Sequence, residues 1–178
     1  VDDAVTWWTG VLLALAAERG VELVVSQRNL AWSRVRGGVE HGAGHYPAMV
    51  VLHTAFLVGL AVEPWARPTE VPPLLWALGA LGAGFAQVLR WWCIATLGPR
   101  WNTRVVVVPG LAPVRSGPYR WLNHPNYVAV VAEGVALPLL GGAYATGVVF
   151  TVLNAWLLSV RITAENAALA TLPAPEPS

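Results

Sequence analysis

Five apolar segments divide this sequence, at about Ala4 to Val25, Tyr46 to Val62, Pro73 to Leu97, Asn126 to Leu140 and Ala143 to Val160. Each approaches the roughly 20 residues with which a helix crosses the hydrocarbon core, the fourth falling shortest. In lipid a crossing segment must satisfy its own backbone hydrogen bonds, so segments of this kind are read as helices. The expected fold is an all-α polytopic integral membrane protein with about five transmembrane helices. Composition agrees: 56% of residues are hydrophobic, 12% are charged and the mean hydropathy is +0.54, which argues against a water-soluble domain of this length. Residues 1–172 are read as one domain, and the Pro-rich tail 173–178 is expected to be disordered. Pro138, Gly141 and Gly142 between the last two segments predict a tight helical hairpin.

The charges carry topology. All eleven basic residues are arginine, grouped in a few polar stretches, a distribution that speaks to a membrane and not to nucleic acid. The stretch Gln27 to His45 holds Arg28, Arg34 and Arg36 against Glu40. Gly98 to His124 holds Arg100, Arg104, Arg115 and Arg120 with no acid. Both are expected in the cytoplasm by the positive-inside rule, with Glu63 to Pro72 and the N-terminal Asp2 and Asp3 outside and the C-terminus inside. The aspartates precede the first apolar segment where a signal peptide would carry basic residues, so a signal peptide is not expected. Within segment one, Glu18, Arg19 and Glu22 are costly facing lipid, so either the helix leaves the membrane there or the charges pair inside the bundle. Cys93, the lone cysteine, reads as a small buried hydrophobe.

Several clusters bear on chemistry. Gly79 to Gly84 lacks dinucleotide-loop spacing and reads as helix packing, with small residues paired at Ala80 and Gly84 and at Gly82 and Ala86. His41 and His45 stand four apart, but the intervening Gly42-Ala43-Gly44 disfavours a helix, so they point to structural or substrate contacts and not to a metal site. His53 reads as a polar group between helices, and Arg90 as a snorkelling residue or an anion contact inside the bundle. Arg104 to Val108, followed by Pro109-Gly110, predicts a short strand and turn packed against protein. The strongest signal is Gly117-Pro118-Tyr119-Arg120-Trp121-Leu122-Asn123-His124-Pro125-Asn126-Tyr127. Pro125 suits the first helical turn, which would aim free N–H groups and the positive end of a helix dipole at the interface, a seat for a carboxylate or phosphate. Glu133, an acid within an apolar segment, is a functional candidate, and Arg161 and Glu165 present a cation and an anion on one helical face.

Taken together, Gly117-Pro118-Tyr119, His124-Pro125-Asn126-Tyr127, Glu133 and Arg161 with Glu165 and Leu169 resemble the C-terminal signature of the isoprenylcysteine carboxyl methyltransferase family of membrane enzymes. Ser26-x-Arg28-Asn29, Gly37-Gly38-x-Glu40, His45-Tyr46 and His53 resemble a bacterial branch whose members often accompany type III polyketide synthases and O-methylate alkylpyrones or phenolic lipids. The resemblance implies S-adenosylmethionine as cofactor, bound at the cytoplasmic side by Gly117, Tyr119, His124, Pro125, Tyr127, Arg161 and Glu165. It implies a lipophilic acceptor met by Arg28, Glu40, His45, His53 and Arg90, with the tail reaching the site from membrane lipid. His124, Glu133 and Arg120 are the candidates for catalytic roles, the first two as bases and the arginine for an oxyanion. Two positions depart from the family pattern: Asn123 stands where arginine is usual, with Arg120 a candidate to replace it, and Asn166 stands where a second acid is usual. Methylation of a prenylated cysteine carboxylate or a phospholipid amine, an NADPH-dependent membrane reductase, and a non-catalytic scaffold are the alternatives.

Overall fold

The computed structural model describes residues 2–173, and side chains from residue 6 onward, so all but the first residue of the expected tail lies outside the described residues. The chain is an all-α polytopic membrane protein. Its helices are α1 (Asp2–Val35), α2 (Tyr46–Ala66), α3 (Pro73–Leu97), α4 (Pro125–Gly141) and α5 (Tyr144–Leu169). Among the described residues, the helices over 43–66, 73–100 and 144–169 are long and apolar enough to cross a membrane. At 17 residues α4 is about 25 Å long, short of a hydrocarbon core of about 30 Å.

The first helix departs from the expected segment. Nothing breaks it at Val25, and it runs to Val35, ending in a turn where the Arg36 and Gly38 N–H groups donate to the Ser33 carbonyl. Its 34 residues make a rod of about 51 Å, so the last turns project beyond the apolar layer. There they anchor the loop after α3. Ser26 Oγ donates to Asn102 Oδ1 at 2.9 Å and accepts the Thr103 N–H at 3.1 Å, while Asn29 donates to the carbonyls of Gly98 and Trp101. The charges of α1 resolve as pairs inside the bundle: Glu22 is buried, whereas Leu13, Val21, Leu23 and Val24 face outward.

A two-stranded antiparallel sheet closes the arginine-rich end. β1 (Val39–His41) pairs with β2 (Val105–Val107) in the register Val39 to Val107, Glu40 to Val106 and His41 to Val105. The expected strand over 104–108 is therefore present and backs onto α5 through Val105, Val107 and Ala168. Its partner β1 is three residues long, too short to carry a period-two signal. His41 lies in this strand and His45 ends a 3-10 turn over Ala43–His45, so the two do not share a helical face.

At the opposite end Trp8, Leu15, Phe56, Leu60, Leu137, Leu140 and Phe150 form the main apolar core. The Glu63 carboxylate accepts the N–H groups of Ala145 and Thr146 at 2.9 and 2.7 Å, capping α5 from α2 where free donors need a partner. The hairpin between α4 and α5 is present, turned at Gly142. The α3–α4 interface is the closest in the bundle, and the small residues of α3 seen against α4 are Gly79 and Gly82. A Cβ on Gly79 would lie 2.7 Å from the Leu140 backbone nitrogen and 2.9 Å from the Ala136 carbonyl oxygen. Gly84 faces open space, which corrects the pairing of Ala80 with Gly84. Replacing Gly79 by valine should therefore cost about 1–3 kcal/mol by overpacking against backbone. Gly84→Ala should leave stability unchanged or raise it, since alanine exceeds glycine in helix propensity by about 0.8–1.0 kcal/mol. Thermal melts of the two variants in detergent check this; equal melting temperatures would show that the interface tolerates a side chain at 79.

Candidate functional site

The N-terminus of α4 and the C-terminal turns of α5 meet beneath the sheet. Gly117 opens a 3-10 turn over Gly117–Arg120 with φ +54, and a side chain there would collide with Thr96, so the loop can lie against α3 only as glycine. That turn delivers His124 to the N-cap of α4, with Pro125 at the first helical position as expected. Tyr127, one turn on, donates its hydroxyl to Glu165 Oε2 and accepts Arg161 Nε at 2.7 Å. The Arg161 guanidinium, 6% exposed, also donates to the Thr103 carbonyl at 2.6 Å and to Met49 Sδ at 2.7 Å. Its N–H groups are thus engaged within the protein.

His124 stacks on the Tyr127 ring with centroids 5.4 Å apart. Its Nε2 lies 3.0 Å from Asn166 Oδ1; that oxygen can only accept, so Nε2 carries hydrogen. Nδ1 lies 3.8 Å from Glu165 Oε1, an ion-pair separation too long for a hydrogen bond. The carboxylate beside Nδ1 favours the imidazolium and holds His124 above the ordinary histidine range, outweighing burial. Asn166, the departure from an acid pair, thus fixes the histidine tautomer.

A cavity of about 480 Å³ opens beside these groups, lined by Arg100, Val107, Arg115, Tyr119, Asn123, His124, Glu165 and Asn166 among others. A smaller recess of about 90 Å³ adjoins it and shares Arg100, Tyr119, His124 and Glu165. The larger volume falls within the ~300–1,000 Å³ of small-ligand sites. Three polar atoms on the recess residues, His124 Nδ1, Asn126 Oδ1 and Trp101 Nε1, are buried without a hydrogen-bond partner among the described residues. Unpaired buried polar groups of this kind need a ligand or water. Arg100 and Arg115 supply cations that sequence reasoning did not single out. Arg115 Nη1 donates to Asn123 Oδ1 at 3.1 Å, placing a guanidinium beside the residue where the resemblance led one to expect an arginine. The expected substitute, Arg120, is exposed and lies over the Trp121 ring instead, lining neither space.

A third cavity, about 200 Å³, lies one helical turn deeper in the bundle. Trp101, Asn102, Asn126, Tyr127 and Arg161 bound both it and the recess, so the two spaces share a wall. Its far end is charged. Arg90 pairs with Glu133 and lies 3.6 Å from Glu22. Arg19 reaches Glu22 at 2.9 Å, Glu18 at 3.2 Å and Glu133 at 3.9 Å, while Gln87 and Trp91 donate to Glu18. Of the acceptor-contact candidates, His53 and Arg90 line this cavity. Arg28 is exposed on α1, Glu40 pairs with Arg104 at 2.7 Å in the sheet, and His45 sits in the cap; none of the three lines it. Glu133 likewise lines neither cavity, its carboxylate being taken up by Arg90 and Arg19.

Comparison with known proteins places this geometry in a lineage. A family model described as the isoprenylcysteine carboxyl methyltransferase (ICMT) family matches residues 78–171. An uncharacterized protein of Bacillus subtilis, YpbQ, is 38% identical over 160 residues, covering 89% of this chain and 94% of the relative. An uncharacterized protein of Haemophilus influenzae is 23% identical over 159 residues, covering 89% and 92%. No solved structure matches the chain.

The His124–Glu165 contact gives a pH prediction. A histidine held above its unfolded value of about 6.5 adds stability that is fully present below that pH and is lost as pH rises through the folded value. Titration of the His124 ring by NMR should give a midpoint above about 6.5 that drops in Glu165→Gln. An unshifted midpoint in that variant would exclude the carboxylate as the cause.

Proposed function

The chain belongs to the isoprenylcysteine carboxyl methyltransferase family, and from that premise we propose that it transfers a methyl group from S-adenosylmethionine to an oxygen of a lipophilic acceptor, with a polyketide-derived alkylpyrone or phenolic lipid favoured. Family members use S-adenosylmethionine, which supplies an electrophilic methyl on a sulfonium when bound. The observation that carries the reading is the wall shared by two cavities, one in the cap with a mixed polar and apolar lining, the other between the helices with a mainly apolar lining.

The cap residues suit the donor. Glu165 complements an amine; the N-terminus of α4, with Arg100 and Arg115, complements a carboxylate. His124 Nδ1, Asn126 Oδ1 and Trp101 Nε1 offer the unpaired polar atoms that a ligand of many heteroatoms would satisfy. Arg161 holds Tyr127 and the Thr103 carbonyl in place and so shapes the wall instead of binding the carboxylate. The residues on that wall align donor and acceptor and exclude water, so positioning supplies much of the rate.

The bundle cavity suits the acceptor head. Leu23, Val50 and Thr54 line it and are themselves exposed at the seam between α1 and α2, which supports a tail lying in lipid with the head inside. The arginine-rich cap supports an orientation with the donor cavity at the cytoplasmic face of the bacterial inner membrane, the N-terminus outside and the C-terminus inside.

Calorimetry on the purified protein tests the donor half. S-adenosylmethionine should bind the wild type, and His124→Ala and Glu165→Ala should each weaken binding at least about tenfold, or about 1.4 kcal/mol. Unchanged tight binding in both variants would sink the site assignment; binding of NADPH in its place would point to a reductase.

A further inference from the structure

Granted methyl transfer as the chain's activity, we propose that the acceptor's reacting group is a hydroxyl and that His53 is the base that takes its proton. The ring is fixed for that role. Its Nδ1 lies 2.9 Å from the Met49 carbonyl oxygen, which can only accept, so Nδ1 carries the hydrogen and Nε2 keeps its lone pair. An edge contact with Phe150, centroids 5.3 Å apart, holds the plane of the ring. Nε2 has no hydrogen-bond partner among the described residues, and the residue lines the 200 Å³ cavity.

Its level in the bundle fits the reaction. Met49 holds Arg161 through its sulfur at the shared wall, and His53 stands one turn further in, about 6 Å along α2. A cavity of about 150 Å³ accommodates benzene, so the 200 Å³ space takes one six-membered ring with its hydroxyl. The other two candidate bases are committed elsewhere. Glu133 is bound by Arg90 and approached by Arg19, and His124 lies in the cap between Asn166 and Glu165.

Charged groups from four helices face His53. Arg19 and Glu22 approach from α1, Arg90 from α3, Glu133 from α4 and Arg161 from α5. These are two carboxylates and three guanidiniums, and the Glu18 carboxylate behind them, paired with Arg19, makes the numbers of the two signs equal. In the step itself the O–H bond breaks and the O–CH₃ bond forms, the proton passing to Nε2. The S–CH₃ bond breaks with its electron pair left on sulfur, so the sulfonium becomes a neutral thioether.

A panel of alkylphenols whose ring substituents grade the hydroxyl's acidity, together with an alkyl carboxylic acid, tests the proposal in nanodiscs with radiolabelled donor. His53→Gln should lose about 100-fold in methyl transfer to the least acidic phenol. The loss should shrink as acidity rises and vanish for the carboxylate, with donor binding by calorimetry unchanged. In the wild type, transfer to the weak phenol should fall at acid pH with a protonation absent from the carboxylate profile, a reading that requires no variant. Without donor present, the nitrogen-15 resonance of His53 Nε2 should shift on adding an alkylphenol and stay put with its methyl ether. Equal loss across the panel, no loss, or a silent Nε2 resonance would overturn the proposal. Absence of donor binding in the wild type would instead defeat the methyltransferase reading on which it rests.

Discussion

A single buried guanidinium ties the functional end of this molecule together. Arg161 leaves α5 and donates to a hydroxyl on α4, a thioether on α2 and a carbonyl in the loop after α3. In an interior of low dielectric an arginine cannot shed its charge, so its burial is tolerable only if its donors find partners. That requirement runs outward. Tyr127 must turn its hydroxyl toward the guanidinium, which commits its proton to Glu165, and Glu165 then faces His124. Removing one partner from such a buried set typically costs about 3–5 kcal/mol, because the charge left behind is uncompensated. The polar wall between the two cavities is therefore held by contacts from four elements of the fold.

A second set of charges does for α1 what Arg161 does for α5. Long side chains from Glu18, Arg19 and Glu22 reach across to Gln87, Arg90 and Glu133. Charged arms hold α1 where α3 and α4 hold each other by glycine contacts. A helix held at arm's length leaves space, and the bundle cavity occupies that space. The same residues that make α1 costly in lipid thus create an interior that a ligand can share. The seam beside Leu23 and Val50 is the corresponding break in the apolar surface.

Much of this was legible in the sequence. Apolar runs placed α2, α3 and α4 and the start of α5 within a few residues, because lipid forces hydropathy and helix limits to coincide, but α5 continues nine residues past Val160 to Leu169, where polar residues enter the helix. Pro125 marked the start of α4, and the placing of Arg161 and Glu165 on one helical face followed from helical spacing, although in the fold each meets Tyr127 instead of the other. The end of α1 was not legible, since its last turns leave the membrane and are held by side chains 70 or more residues away, as Ser26 is by Asn102 and Thr103. Nor was β1, a strand of three residues specified by its partner. Arg120 drew the role because it lies inside the motif, whereas Arg115 lies two residues before it. Only the fold separates them, turning one onto Trp121 and the other toward Asn123.

Asn123 and Asn166 show how a family pattern can be departed from without dismantling a site. Both stand where the resemblance leads one to expect a charge, and only Asn123 is met by a neighbouring charged group. Arg115 brings a guanidinium to Asn123 from eight residues upstream, so the cation is displaced and not lost. At Asn166 the compensation is of another kind. A carboxylate there would favour a proton on Nε2 and add a second negative charge beside Glu165. The amide oxygen fixes the same proton without that charge. His124 then answers to Glu165 alone, and the charge of the cap is set by a single carboxylate, the one that the Tyr127 hydroxyl also holds. One residue thereby bears on the cap cavity and, through Tyr127, on the wall between the recess and the bundle.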